Sequence, residues 1–163
     1  MKKGLILCIA GLLWITTAYS QTEKFKALFI YNFTNYIDWP NAGNSFVIAV
    51  YGDSPMFGEL VSISKLKKVA GVPIEVKRIN SIPEIGEAKI VFVPVQKKRI
   101  VSEINKALSG RPTLIVSDEA TSDFGINFLV INGKQAFQIS KSNIEKHGLK
   151  VSNSLLGLGV PVN

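Results

Sequence analysis

The chain has 163 residues, of which 13 are Gly, 7 are Pro and 1 is Cys, and it is 47% hydrophobic and 19% charged. These proportions indicate a globular protein and exclude a collagen-like, disordered or disulfide-rich chain. The formal net charge is +7, and most of the excess is lysine. A lysine excess without interleaved aromatic residues argues against nucleic-acid binding.

The first 20 residues have the pattern of a secretory signal peptide. Two lysines precede an apolar run over residues 4–15, and the small-x-small site Ala18-Tyr19-Ser20 follows. The apolar run is too short to cross a bilayer comfortably. We therefore expect cleavage after Ser20, export from the cytoplasm, and one mature domain over residues 21–163. Cleavage would remove two lysines and the only cysteine, Cys8, so the net charge would fall from +7 to +5.

The mature chain opens with a predicted amphipathic helix from Glu23 to Asp38, which Trp39-Pro40 ends. Its apolar stripe is interpreted as core packing and consists of Phe25, Leu28, Phe29, Phe33, Tyr36 and Ile37. Asn32 lies within this stripe, where a buried amide needs hydrogen-bond partners. We predict that Asn32 clamps a neighbouring loop, and contact with a ligand is the alternative.

Strands and helices then alternate along the chain. The predicted segments are a strand at Phe46–Tyr51, a helix at Pro55–Ser64, strands at Pro73–Ile79 and Lys89–Pro94, a helix at Gln96–Leu108 and a strand at Pro112–Asp118. The basic cluster Lys97 to Arg99 is interpreted as a solvated helix face that could also meet an acidic partner. The turn Gly52-Asp53-Ser54-Pro55 could present N–H groups to an anion. It lacks the glycine pattern and lysine of nucleotide-binding loops, so we interpret it as an ordinary turn.

The pattern changes after residue 125. Ile126–Ile131 and Gln135–Ile139 flank Asn132-Gly133, which is a strong signal for an antiparallel hairpin. A last helix is predicted from Ser142 to His147, before Gly148. The predicted fold class is therefore α/β, with a mostly parallel sheet covered by helices on both faces and a late antiparallel hairpin.

The sequence offers few groups for catalysis. His147 is the only histidine and no Gly-x-Ser-x-Gly motif exists, so a serine triad and a zinc site are both disfavoured. We predict that His147 caps a helix C-terminus. Asp118, Glu119 and Asp123 could form an acid–base pair at the end of a strand, but a solvated loop is the favoured interpretation. We expect no enzyme activity, cofactor or metal.

The apolar stretch after Gly148 has two interpretations. It packs in the core, or it is exposed for a partner protein. The candidate partner contacts are Leu149, Val151, Leu155 and Leu156.

Two groups of motifs resemble the YfiR-like family of exported bacterial proteins. The opening motif is Lys26-Ala27, Tyr31-Asn32-Phe33 and Trp39-Pro40, and the closing motif is Phe137-x-Ile139 with Gly148-Leu149-x-Val151-Ser152-x-x-Leu155-Leu156. The resemblance implies a periplasmic α/β protein that restrains a membrane signalling enzyme, best known as a diguanylate cyclase. The chain departs from the family pattern at Ser140, where Asn is usual, at Gly159, where alanine is common, and before Ile126, where two glycines are usual. Cysteine-based redox control does not transfer, because the mature chain has no cysteine.

The leading hypothesis is a non-enzymatic periplasmic regulator that contacts the periplasmic domain of a membrane-bound diguanylate cyclase or sensor kinase. The alternative is a periplasmic small-ligand binding protein that uses the loops after Tyr51, Pro94 and Asp118. The third hypothesis is an enzyme that uses Asp118 and Asp123 as catalytic carboxylates. No nucleic-acid partner is expected, and self-association into a homodimer stays open.

Overall fold

The computed structural model describes residues 21–40 and 43–162. The predicted signal peptide and its cleavage site lie outside these residues. Within the described ranges, no helix is long and apolar enough to cross a membrane.

Helices and strands alternate along most of the described chain. Helix α1 occupies residues 21–33. The other elements are β1 (Ile37–Asp38), β2 (Phe46–Tyr51), α2 (Met56–Ser64), β3 (Lys68–Val69), β4 (Val72–Ile79), β5 (Ile90–Val93), α3 (Val101–Ala107), β6 (Leu114–Asp118), β7 (Ile126–Ile131), β8 (Lys134–Ser140), α4 (Lys141–Lys146), β9 (Lys150–Val151), α5 (Asn153–Leu158) and β10 (Val160–Val162). Two 3₁₀ segments, Pro83–Ile85 and Val95–Ile100, precede β5 and α3.

Eight of the strands form one sheet in the order β10-β8-β7-β6-β5-β2-β4-β3. Strands β4, β2, β5, β6 and β7 are parallel neighbours, and β7 and β8 form an antiparallel hairpin. Asn132 and Gly133 both have positive φ, as a two-residue hairpin turn requires. Strands β1 and β9 form a separate antiparallel pair. The predicted α/β class and late hairpin are confirmed.

The two faces of the sheet carry separate apolar cores, because successive strand residues point to opposite sides. In β2, Ile48 and Val50 pack on the face that α1, α2, α4 and α5 cover. Ala49 and Tyr51 pack on the other face, which α3 and the two 3₁₀ segments cover. The predicted burial of the sheet on both faces is therefore confirmed.

Helix α1 ends five residues earlier than predicted. After residue 33 the backbone N–H groups of residues 34 to 36 each donate a hydrogen bond to the carbonyl three residues earlier, as in a turn. The Thr34 hydroxyl also donates a 2.7 Å hydrogen bond to the Tyr31 carbonyl. Ile37 and Asp38 then pair with Val151 and Lys150 as strands β1 and β9. The extension of the helix to Asp38 is wrong because this pairing with a distant segment outweighs the local helical period.

The prediction of which α1 face is buried is also partly wrong. Phe33 and Ile37 lie in the core, but Phe25, Leu28 and Tyr36 are exposed at 41%, 41% and 37%. The core positions of the helix are Ala27, Ile30 and Phe33, together with the charged residues Glu23 and Lys26. Sequence periodicity placed the aromatic residues inward because it gave no weight to the burial of charged side chains.

The predicted helix Gln96–Leu108 is divided in the structure. Its first part is the 3₁₀ segment Val95–Ile100, which starts after the extended residue Pro94. Regular α-helix occupies only Val101–Ala107.

A close contact between Gly159 and Phe137 generates a first prediction. A Cβ atom at Gly159 would lie 2.5 Å from Phe137 Cε2, and the Phe137 ring packs against Phe29 and Phe33 and has little freedom to move. We expect Gly159→Ala to lower the free energy of unfolding by about 1 to 3 kcal/mol through overpacking.

The matched control is Gly157→Ala, because a Cβ atom at this α5 position meets nothing within 4 Å. Alanine favours helix, so this variant should be more stable by about 0.5 to 1 kcal/mol. Thermal denaturation measures both variants. Equal midpoints for the two variants would contradict the Gly159 contact.

Candidate partner-binding surface

A buried ion pair attaches helix α1 to the sheet. Lys26 Nζ donates hydrogen bonds to Asp118 Oδ2 at 2.7 Å and to Glu23 Oε1 at 3.3 Å. All three side chains are buried. Asp118 is the last residue of β6, so the pair holds the amino-terminal half of α1 at the carboxyl edge of the parallel strands.

Burial and charge act in opposite directions within this ion-paired cluster. Burial raises the pKa of Glu23, and the charge of Lys26 offsets part of that rise. Burial disfavours the charged form of Lys26, but the hydrogen bond and charge of Asp118, with a contribution from Glu23, outweigh it and raise the Lys26 pKa. Lys26 is therefore firmly cationic and keeps the buried Asp118 carboxylate compensated.

Asp118 and Asp123 belong to separate networks. The Asp123 carboxylate accepts hydrogen bonds from the Ser102 and Ser122 hydroxyls and from Asn105 Nδ2. These hydrogen bonds, led by that of Ser102, lower the Asp123 pKa. Because Asp118 faces Lys26 instead, the structure does not show the shared site that an acid–base pair needs. The favoured interpretation of Asp118 as a residue of a solvated loop is wrong, because Asp118 is the buried last residue of β6.

His147 joins α3 to the end of α4. Its Nδ1 lies 2.7 Å from the Leu108 carbonyl oxygen and its Nε2 lies 2.8 Å from Asn105 Oδ1. Leu108 is the C-terminal cap residue of α3, so the predicted cap contact is made with a different helix from the one that His147 ends. Burial lowers the pKa of His147, and the hydrogen bond to Leu108 offsets part of the decrease.

A metal site requires several ligating side chains close together. Across residues 21–40 and 43–162, no group of three or more His, Cys, Asp or Glu side chains is placed to hold a metal ion.

An apolar groove lies between α1, β8 and α5, and we call it the α1–α5 groove. Its volume is about 370 Å³, and its lining residues are Phe29, Asn32, Phe33, Asn35, Tyr36, Phe137, Leu155 and Leu158. The aromatic rings of Phe29 and Phe33 lie 5.8 Å and 5.1 Å from that of Phe137 and form its floor. The rim is polar, because the side chains of Asn32 and Asn35 are exposed there.

Two large apolar side chains that are exposed line this groove. Leu158 is 64% exposed and Tyr36 is 37% exposed, and both line it. Val160, which follows α5, is 43% exposed, and the Phe25 ring packs at a tilt against the Phe29 ring, with centroids 4.5 Å apart. An apolar groove with exposed apolar side chains at its wall is a candidate interaction site.

Residues 23–160 match the sequence model of the YfiR/HmsC-like family. The chain belongs to this family. The match contains both the buried ion pair and the α1–α5 groove, and it confirms the resemblance that the two motifs indicated. No curated protein matches the chain significantly.

The opening motif of this YfiR/HmsC-like protein has both structural and exposed members. Phe33 is buried beneath the groove, and Trp39 donates a 3.0 Å hydrogen bond to the Thr34 carbonyl and packs edge-on against Phe46. Asn32 and Pro40 are exposed. No described residue forms a hydrogen bond with the Asn32 side chain, so the structure does not show the predicted loop clamp.

The closing motif of this YfiR/HmsC-like protein is largely core, which agrees with the first of the two interpretations given for this stretch. Leu149 and Leu155 are each only 1% exposed. Val151 and Leu156 are half-buried and pack against the same core. Ser152 caps α5 by accepting a hydrogen bond from the Leu155 backbone N–H, and the helix turns Leu155 inward and Leu158 outward.

Sequence reasoning missed Tyr36 and Leu158 as surface residues. The available signal was Ser152, a favourable N-cap residue at the start of an apolar segment. A helix starting there would have given the segment a buried and an exposed side.

The buried ion pair generates the second prediction. We expect Lys26→Met to lower the free energy of unfolding by about 3 to 5 kcal/mol, because it leaves the Asp118 carboxylate buried without its cation. Lys141→Met removes a lysine from the exposed pair with Glu145 and should cost at most about 0.5 kcal/mol. Chemical denaturation at pH 7 measures both variants, and similar losses would contradict the role assigned to Lys26.

The buried histidine generates the third prediction. The folded-state pKa of His147 lies below its usual value of 6.5, so the unfolded chain takes up a proton first as the pH falls. The free energy of unfolding should therefore decrease as the pH falls from 6.5 toward the folded-state pKa. His147→Gln removes this titration.

Denaturation at pH 7.5 and pH 5 measures the effect as the difference between wild type and His147→Gln. Other titrating groups, including Glu23, are common to both proteins and cancel. We expect the difference in the free energy of unfolding between wild type and His147→Gln to be smaller at pH 5 than at pH 7.5. A difference that does not change with pH would show that His147 keeps its ordinary pKa.

Proposed function

We propose that this protein is a periplasmic, non-enzymatic regulator that restrains a membrane-bound signalling enzyme by protein–protein contact. The best supported partner class is a diguanylate cyclase, and a sensor kinase is the second. Membership of the YfiR/HmsC-like family supports the regulatory role. The lysine-led N-terminal pattern ending at Ser20 supports export.

The observation that carries the proposal is the α1–α5 groove. Leu158 stands at the groove wall with 64% of its surface exposed, although full burial of such a side chain is worth about 1.5 to 3 kcal/mol. A partner side chain that enters the groove would remove Leu158, Tyr36 and Phe29 from water together. Buried apolar anchors at the centre of an interface supply most of the binding energy.

The rim of the groove suits a specific contact. The Asn32 and Asn35 amides and the Tyr36 hydroxyl stand beside the apolar floor and can pair with backbone groups of a partner. We therefore place the contact at Tyr36 and Leu158. Leu149 and Leu155 act beneath it, by holding α4, β9 and α5 in position, and Val151 and Leu156 pack against the same core.

A site-specific photo-cross-linker tests this assignment in the native envelope. Placed at Leu158, it should capture a membrane signalling enzyme with a periplasmic domain, which mass spectrometry identifies. The matched position is Leu66, which is 82% exposed at the end of α2 and does not line the groove. Capture of the same enzyme from both positions, or from neither, would argue against the groove as the contact.

A charge substitution supplies the fourth prediction. We expect Leu158→Glu to weaken binding to the captured periplasmic domain at least about 100-fold, because a charge enters the apolar centre of the interface. Leu66→Glu should bind as wild type does. Neither substitution touches the core, so thermal denaturation should give nearly equal midpoints, and a loss of binding is then not a loss of folding.

A further inference from the structure

The buried ring of His147 faces two hydrogen-bond acceptors. Its Nδ1 atom lies 2.7 Å from the Leu108 carbonyl oxygen, and its Nε2 atom lies 2.8 Å from Asn105 Oδ1. These oxygens can only accept a hydrogen bond, and a neutral imidazole carries a single N–H. Both contacts are therefore hydrogen bonds only when the ring holds two protons and is a cation. His147 and Asn105 are each only 2% exposed, so solvent has little access to a ring nitrogen that lacks a partner.

The Asn105 amide continues this network to the loop between β6 and β7. Asn105 Nδ2 donates a 3.2 Å hydrogen bond to Asp123 Oδ1, and the Ser102 and Ser122 hydroxyls donate to Asp123 Oδ2. These hydrogen bonds, led by that of Ser102, lower the pKa of Asp123, so its side chain is a carboxylate at neutral pH. The structure therefore shows the arrangement that suits a protonated ring, in which the amide oxygen faces His147 and the amide nitrogen faces a carboxylate.

A neutral His147 ring requires the opposite orientation of the Asn105 amide. The Leu108 carbonyl belongs to the backbone, also accepts the Arg111 N–H, and can never donate. The neutral ring therefore satisfies both nitrogens only if its proton stays on Nδ1, facing Leu108, and Nε2 accepts a hydrogen bond. Asn105 can supply that hydrogen bond by turning its amide over, which brings Nδ2 to the ring and Oδ1 to Asp123.

Asp123 can lose the hydrogen bond from Asn105 without becoming isolated. Its Oδ2 atom keeps the two serine hydroxyls. The residue is half-buried and lines a polar cleft of about 270 Å³ together with Asn143 and Gln138. Solvent that enters this cleft can donate to the released Oδ1 atom. The turned amide therefore costs far less than a charge left without partners in the core would.

Charged groups around His147 act on its protonation in both directions. The charged residues of the neighbouring elements are Lys141, Glu145 and Lys146 on α4, Glu103 and Lys106 on α3, and Arg111, Glu119 and Asp123 in the adjoining loops. Burial and then the positive charge of Lys146 disfavour the protonated ring and lower the pKa of His147. Asp123 is the negative group that the hydrogen-bond network joins to the ring, through Asn105.

We propose that the Asn105 amide is a proton-driven switch: its nitrogen faces Asp123 when His147 is protonated, and its oxygen faces Asp123 when His147 is neutral. A proton taken up by a buried ring thereby changes the hydrogen bonding of a surface loop. Glu119 and Asp123 in this loop have left-handed backbone, with φ of 53° and 64°, so the loop depends on its hydrogen bonds to keep its shape. The switch is independent of the α1–α5 groove and of the regulatory role proposed for it.

Nuclear magnetic resonance of the mature wild-type protein tests the switch directly. Imidazole ¹⁵N signals report the tautomer and protonation of His147, and side-chain amide signals report Asn105, as the pH is lowered from 8 to 4. We expect the Nδ1–H tautomer at high pH, and Asn105 signals that shift with the same midpoint as the ring. An Nε2–H tautomer, Asn105 signals that do not follow the ring, or a ring that stays neutral while the protein is folded would each overturn the proposal.

Two variants that each remove one negative charge separate the amide from simple electrostatics. Asp123→Asn keeps an oxygen for the serine hydroxyls and offers an N–H₂ group to the turned Asn105 oxygen, and asparagine tolerates left-handed φ. It should favour the neutral ring and lower the midpoint of the His147 titration by at least about 0.5 pH units. Glu145→Gln, at an exposed α4 position two residues from His147, should lower it by less than about 0.2. Equal midpoints in the two variants would overturn the proposal, and the wild-type signals decide the question if Asp123→Asn does not fold.

Discussion

The Lys26–Asp118 ion pair fixes which face of helix α1 packs against the sheet. It places a charged position of α1 against the sheet, and the helix then buries Ala27, Ile30 and Phe33. Removing two charges from water is costly, so the pair is stable only when both groups are aligned and hydrogen-bonded. That requirement gives α1 one orientation. Phe25 and Tyr36 are left at the surface, and Tyr36 lines the groove.

The α1–α5 groove and the two apolar cores of the sheet are supported separately. The groove stands on α1, β8 and α5, whose buried side chains belong to the core on the face of the sheet that carries Ile48 and Val50. The other face has its own core beneath α3 and the two 3₁₀ segments. An exposed groove residue such as Leu158 can therefore be changed without altering either core.

The sequence predicted well what short stretches of chain determine. The buried strands were recognisable because continuous runs of branched apolar residues suit a sheet covered on both faces, and Asn132-Gly133 marked the hairpin. The face of α1 was not predictable, since Lys26 is buried only because Asp118 lies opposite, 92 positions along the chain. The groove was missed for the same reason, because its walls come from both ends of the described chain. The β1–β9 pair was missed because two residues carry no detectable period.

The outer strands of the sheet limit how partners can approach. Strand β10, beside the groove, is three residues long and contains Pro161, which has no backbone N–H to donate. Strand β3, at the other end, is two residues long and carries the exposed Lys68. Short edges with proline or lysine discourage a foreign strand from extending a sheet. Both terminal strands therefore discourage edge-to-edge pairing where they lie, and the recognition that we propose at the groove would depend on side chains that fit its shape and not on backbone pairing that any extended peptide could supply.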